Sequence, residues 1–173
     1  MVEESKEGGA ATINVRLAVA SDAHALARLR YEFRAGVGAA SEGEAEFVVR
    51  CRRWMEERLR EGGAWRCWVA ERDREPVGNL WAQLVEKIPN PTAEPERHAY
   101  LTNFYVREGE RGRGTGSLLL SAALDWCGAS GVHAVILWPT ERSRSLYLRH
   151  GFAVREDLLE LIVCETGDEA RCK

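Results

Sequence analysis

Apolar residues along this chain change period several times, and each change predicts an element. Ile13, Val15, Leu17 and Val19 alternate with other residues, the two-residue period of a half-buried strand. Leu26, Leu29, Arg30 and Phe33 then recur at helical spacing, with Ser21 placed as N-cap and Gly36 behind them. Ser41-Glu42-Gly43-Glu44 fits a capping box, and the stripe Val48, Cys51, Met55 and Leu59 marks a second helix ended by Gly62-Gly63. Glutamates lead this helix and arginines follow, the order that the helix dipole favours. Trp65 to Glu71 and Val77 to Lys87 read as a hairpin across the polar turn 72–76. Pro89, Pro91 and Pro95 mark a loop, and His98 to Val106 is aromatic and β-branched enough for a central strand. Gly109 to Gly116 is too glycine-rich for regular structure. Leu120, Ala123, Leu124 and Cys127 share a helix face that runs to Ser130-Gly131. Ala134 to Trp138 predicts a short buried strand closed by Pro139, Ser143 to His150 a short helix stopped by Gly151, and Leu158 to Val163 a final strand.

The resulting order, β-α-α-β-β-β-α-β-α-β, contains no repeat and no low-complexity linker. It predicts one mixed α/β domain over residues 12–173, behind a polar, glycine-rich and disordered lead-in over residues 1–11. A chain of 173 residues is long enough for one substantial core. The last third has the strand-loop-helix-strand order of a parallel crossover, and ligands in such sheets sit at the carboxyl ends of strands. The net charge of -3 argues against nucleic acid, whose partners carry a basic excess. Five cysteines, an odd number with no C-x-x-C pair and no ligand spacing to histidine, predict free thiols and no metal. The longest apolar stretch, Leu118 to Leu124, is broken by Ser121 and far too short for a bilayer. With no secretory signal at the acidic N-terminus, the expected location is cytoplasmic, with no membrane partner.

The glycine-rich segment carries the first chemical signal. A strand ends at Val106, glycines let the backbone turn with its amides inward, and a helix begins near Ser117. Unpaired amides at a helix N-terminus make an anion site, to which Arg111 and Arg113 add charged donors. A tight turn that merely starts a helix would use the same residues. Two nucleotide motifs are excluded by spacing. Gly109 and Gly114 are set as in a P-loop, but Thr115 stands where lysine is required. Gly112, Gly114 and Gly116 miss the dinucleotide spacing and lie late in the chain.

The pattern that fits is Arg/Gln-x-x-Gly-x-Gly/Ala after a strand, with Arg111, Gly114 and Gly116 in its fixed positions. A second block, 140–152, carries Leu146, Tyr147, Gly151 and Phe152 as in an N-x-x-A-x-x-L-Y-x-x-x-G-F helix, with Thr140 and Ser143 in place of the commoner Asn and Ala. In these two blocks, one helix and one strand apart, the chain resembles the GCN5-related N-acetyltransferases, the GNAT superfamily. That resemblance implies a mixed sheet of six to seven strands flanked by about four helices, with the cofactor in a V-shaped cleft between two splayed parallel strands.

The resemblance also implies a reaction: an acetyl group passes from acetyl-CoA to a primary amine in a ternary complex. The backbone at Phe104, Tyr105 and Val106 would pair with the pantetheine arm, an amide near Phe104 polarising the thioester carbonyl. The amides of Arg111, Gly112, Arg113, Gly114, Thr115, Gly116 and Ser117 would hold the pyrophosphate, with Thr140 and Ser143 beside the cofactor. Tyr147 takes the role of general acid toward the departing thiolate. An alkyl thiol (about 8.5) and a phenol (about 10) make that transfer mildly uphill. The amine, protonated near neutrality, needs a base: Glu86, His98 and Tyr100 are candidates, while Glu32 reads as a solvated helix face. Trp138 is expected beside the cofactor and Trp81 toward the acceptor, with His24, His133 and His150 structural. The acceptor is a small-molecule or peptide amine, and the last strands offer an edge for a homodimer. A module that senses acyl-CoA without turnover is the alternative reading of the same loop.

Overall fold

Five strands form one mixed sheet in the computed structural model, which describes residues 12–60 and 63–162. They are β1 (Asn14–Leu17), β2 (Trp65–Arg72), β3 (Glu75–Glu86), β4 (Arg97–Val106) and β5 (Val132–Ile136), side by side in chain order. Neighbours are antiparallel except β4 and β5, which run parallel around a crossover helix. Four helices flank the sheet: α1 (Ala23–Gly36), α2 (Glu44–Arg60), α3 (Thr115–Ala129) and α4 (Glu141–Arg149). The expected lead-in, residues 1–11, lies outside the described residues, as do Gly62, Val163, Cys164 and Cys172. No helix among the described residues is long and apolar enough to cross a membrane.

Each face of the sheet buries its own core. On one face Ala23, Leu26, Ala27 and Leu29 of α1 meet Val48 and Met55 of α2 over Cys67, Val69 and Trp81. On the other, Leu119, Leu120 and Ala123 of α3 and Tyr147 of α4 cover Trp68, Ala70, Leu80, Ala82 and Leu101. The helical stripes predicted from the sequence are thus the faces that are buried. Cys51, Cys67 and Cys127 are free thiols, and burial pushes all three above their ordinary value.

Several local expectations are corrected. A 3-10 turn, Ala20–Asp22, precedes α1, and Asp22 rather than Ser21 secures the entry. One Asp22 oxygen accepts from the Val19 amide at 2.7 Å, and both accept from Arg16 at 2.8 and 2.9 Å. The β2–β3 turn is only Asp73-Arg74, both at positive φ (52° and 67°), the pattern of a type I′ hairpin. Pro76 therefore sits inside β3, opposite Glu71 at a register shift. Glu108–Glu110 is a 3-10 turn and Thr115 and Gly116 are already helical, so Gly109 to Gly116 is less irregular than its glycines suggest. No sixth or seventh strand occurs among the described residues, and 158–162 is coil with Leu158, Leu159, Leu161 and Ile162 exposed. Adjacent apolar pairs around Glu160 put hydrophobic groups on both faces, so no alternation fixes a register there.

The feature that shapes the site lies in β4. Its register with β3 shifts between Asn79 and Trp81, so that Thr102 faces Trp81 and Tyr105 faces Asn79. The extra residue is a β-bulge, and Asn103 there takes φ +47°, a region asparagine tolerates better than most residues. Asn79, fully buried on β3, donates from Nδ2 to the Asn103 carbonyl at 2.9 Å. β4 and β5 are paired from Arg97/Val132 to Tyr100/Ile136, after which β5 ends and the edge of Leu101 to Val106 has no strand partner on that side among the described residues. Asn79→Ala is expected to cost about 1–2 kcal/mol of stability by stranding that carbonyl, read as a lower urea midpoint at unchanged m-value.

Candidate functional site

The splay leaves a cleft whose far end is the glycine loop. After β4 the chain makes the 3-10 turn, then passes Gly112 (φ +72°) and Gly114 (φ +85°) into α3. Gly114 is the N-cap, its carbonyl accepting from the Leu118 amide at 3.0 Å. By helix geometry the amides of Thr115, Gly116 and Ser117 lack an intrahelical acceptor. A Cβ built on Gly112 or Gly114 would meet no protein atom within 4 Å, so the backbone there fronts open space. A cavity of about 440 Å³ lies against this turn, lined by Phe104, Val106, Gly114, Gly116, Ser117 and Leu146 among others. Amides, a helix dipole and an unfilled cradle suit a pyrophosphate.

The side chains around the loop divide their labour. Arg111 donates Nε to the Val106 carbonyl at 2.8 Å and lies 5.6 Å from the Tyr105 ring centroid, so it fastens the end of β4. Arg113 is exposed, and Thr115 is buried with Oγ1 unpaired. Neither side chain lines the cavity, while Arg142 and Arg149 of α4, which the sequence reading missed, do. His150 ties the two helices together. Its Nδ1–H donates to the Leu146 carbonyl at 2.9 Å, leaving Nε2 to accept from the Ser117 hydroxyl at 3.0 Å. Thr140 and Ser143 form a reciprocal capping box at the start of α4, which explains hydroxyls in both positions.

A second cavity of about 740 Å³ runs from the bulge across to α1. It shares Phe104, Arg111, Arg142 and Ser143 with the first, so the two are halves of one trough. Tyr147 stands in its wall, 7% exposed, its ring 6.2 Å from Phe104 and 5.5 Å from Phe152. Burial pushes its phenol up to about 12, partly offset by the Ser143 hydroxyl. Tyr105 stacks on Phe33 of α1 at 5.4 Å, and its phenol too is raised by burial. Trp138 lies just past β5, half-exposed, edge-on to Tyr100 at 5.0 Å. It lines the trough. Trp81 does not reach the trough; it is 1% exposed, packed among Trp54 and Trp65 in the α1–α2 core.

The three base candidates separate. Tyr100 lines the trough. Glu86 is exposed at the opposite end of the β3–β4 ladder, across from Arg97. His98 stacks on His133 at 5.6 Å and lines a different cavity, of about 660 Å³, along β5. It sits where β4 and β5 are still paired, before the splay. Glu32, by contrast, does line the trough, held by Arg107 through two 3.0 Å contacts.

A sheet opened between parallel strands, with an anion cradle at one end and aromatic walls at the other, suits an extended ligand that carries a phosphate at one end. The chain belongs to the acetyltransferase (GNAT) family, whose model matches residues 26–152, and acetyl-CoA is the acyl donor of that chemistry. Solved structures agree in fold. A predicted acetyltransferase with acetyl-CoA from Clostridium acetobutylicum is 22% identical with a TM-score of 0.72, covering 88% of this chain and 97% of that one. Glucosamine-6-phosphate N-acetyltransferase from Arabidopsis thaliana is 17% identical with a TM-score of 0.66, covering 87% and 98%. An aminoglycoside acetyltransferase from an uncultured soil metagenomic sample, in complex with sisomicin, is 14% identical with a TM-score of 0.68, covering 88% and 96%. A comparison with curated proteins finds no match.

Proposed function

We propose that this acetyltransferase moves the acetyl group directly from acetyl-CoA to a primary amine while both are bound. The observation that carries the reading is the continuity of the trough: the cradle half and the aromatic half meet at Phe104. None of the described cysteines lines it, which favours direct attack over an acyl-enzyme. The unpaired edge of β4 at Phe104, Tyr105 and Val106 offers amides and carbonyls to an extended pantetheine, and the amides from Arg111 to Ser117 take the pyrophosphate. An amide donor at Phe104 favours the oxyanion that forms when the amine attacks the thioester carbon.

In the transfer itself a C–N bond forms and the C–S bond breaks. The phenol of Tyr147 donates a hydrogen bond to the departing sulfur. The amine, with an intrinsic pKa of about 10.4, must first lose a proton. We assign that proton to water in the open trough beside Glu32 rather than to Glu86 or His98, which lie away from it. Thr140 and Ser143 serve chiefly to hold the start of α4, and with it Tyr147.

Thiol release from acetyl-CoA across a panel of amines tests the reading. The amines span amino acids, amino sugars and aminoglycosides, the last two because such acceptors are named for structurally similar acetyltransferases. Sustained release with at least one amine is expected. Tight CoA binding with no release from any amine would favour the sensing module instead.

A further inference from the structure

Building on the transfer reading, we propose that the acceptor amine carries an anionic group, a carboxylate or a phosphate, and that Arg30 and Arg34 of α1 hold it. Both arginines line the aromatic half of the trough. They are four residues apart on one helix, so their side chains share a face, directly after the buried Leu26 and Leu29. Arg30 donates Nη1 to the Asn103 side-chain oxygen at 3.2 Å and lies 5.7 Å from the Phe33 ring centroid. No carboxylate among the described residues reaches ion-pair distance of either guanidinium in the way other arginines are matched. Burial and the neighbouring Arg34 charge pull Arg30 below its ordinary value.

The carboxylates nearby are already committed. Glu32 is taken by Arg107. Glu42, behind the pair in a small cavity of about 150 Å³, is taken by Arg50. Glu108 is 94% exposed beside Arg111 at 3.8 Å. Two half-buried guanidiniums of like charge are costly to hold together without a counter-ion, and their planar donor forks match carboxylate and phosphate oxygens. Their place is informative. Through Asn103, Arg30 is anchored to the bulge, one residue before Phe104, where the proposed transfer receives the acyl carbon. An acceptor clamped there by its anion is aligned along the same strand as the donor, while polycationic amines meet like charge.

The test measures binding to CoA-saturated protein by calorimetry, using leucine against leucinamide, glucosamine 6-phosphate against glucosamine, and kanamycin as a polycation. At least one anionic member is expected to bind about tenfold more tightly than its neutral counterpart. The pair that responds identifies the anion as carboxylate or phosphate. Arg34→Gln, at a half-exposed site that leaves the core intact, should abolish most of that preference, and Arg30→Gln should do the same. Equal binding within both pairs, tighter kanamycin, or a preference that survives in both variants would overturn the proposal. Because binding is read without turnover, a protein that releases no thiol would sink the transfer reading and leave this one to be decided by the calorimetry.

Discussion

Tyr147→Phe is expected to lower kcat by about a hundredfold while changing the KM for acetyl-CoA by no more than about twofold. The phenol ring is packed between Phe104 and Phe152 and is 7% exposed, so phenylalanine keeps the packing and loses only the hydroxyl. Circular dichroism and an unchanged melting temperature would confirm that the fold is intact. The raised phenol sharpens what the hydroxyl does. At about 12 it lies roughly 3.5 units above an alkyl thiol, so complete proton transfer to the thiolate is uphill by about 5 kcal/mol. The hydroxyl therefore acts mainly as a hydrogen-bond donor to developing charge on sulfur, an interaction made in the transition state and scarcely in the ground state. A phenol protonated up to about pH 12 also produces no fall in kcat between pH 8 and 10. A Phe variant with full kcat would remove Tyr147 from the mechanism, and a fall in that window that the Phe variant lacks would show the phenol titrating nearer its ordinary value. The sign of the stability term follows as well. The folded phenol binds its proton more tightly than the unfolded one, so its contribution is fully present below about pH 10 and is lost as pH rises toward 12.

The second large effect is at Gly114. Valine there must adopt φ +85°, a left-handed conformation that costs a non-glycine residue roughly 1–2 kcal/mol, and more when it is β-branched. For a domain of this size that is a drop of about 2–8 °C in melting temperature. The binding loss should be larger. A Cβ there meets no protein atom within 4 Å, and Gly114 lines the cavity at the start of α3, so the added side chain takes space where the pyrophosphate is to sit. CoA affinity is expected to fall by about a hundredfold, measured by titration calorimetry. Gly109→Ala is the control. Gly109 is equally unencumbered but is not at positive φ, so both stability and CoA affinity should hold. Equal losses at Gly109 and Gly114 would show that the loop does not hold phosphate through its backbone.

The sequence made the helices and the cradle readable because their signals are local. The α3 face shows in the spacing of Leu120, Ala123 and Cys127, and the turn into α3 shows in Gly112 and Gly114. The family blocks named the donor for the same reason: short-range patterns carry it. What failed was set by partners far away in sequence. Leu158 to Ile162 is apolar enough for a strand, yet nothing in those residues says whether an edge is there to receive it. His98 lies on the expected strand but before the splay, and the opening of β4 from β5 is announced in the sequence only by one asparagine in an aromatic run. Glu32 and Arg34 look like ordinary solvated helix positions, and Arg30 only shares the stripe of Leu26, Leu29 and Phe33, until α1 is laid against β4.

With an extra residue at Asn103, odd and even positions trade places along β4. Ahead of it Leu101 packs toward α3; behind it Phe104 and Val106 do, and Tyr105 turns toward α1. The bulge is in this sense a frameshift written in space. Deleting Asn103 would restore a one-to-one ladder, with Phe104 opposite Leu80 and Tyr105 still opposite Asn79, so every side chain beyond it would keep its face and only the bulge, with the carbonyl that Asn79 bonds, would be lost.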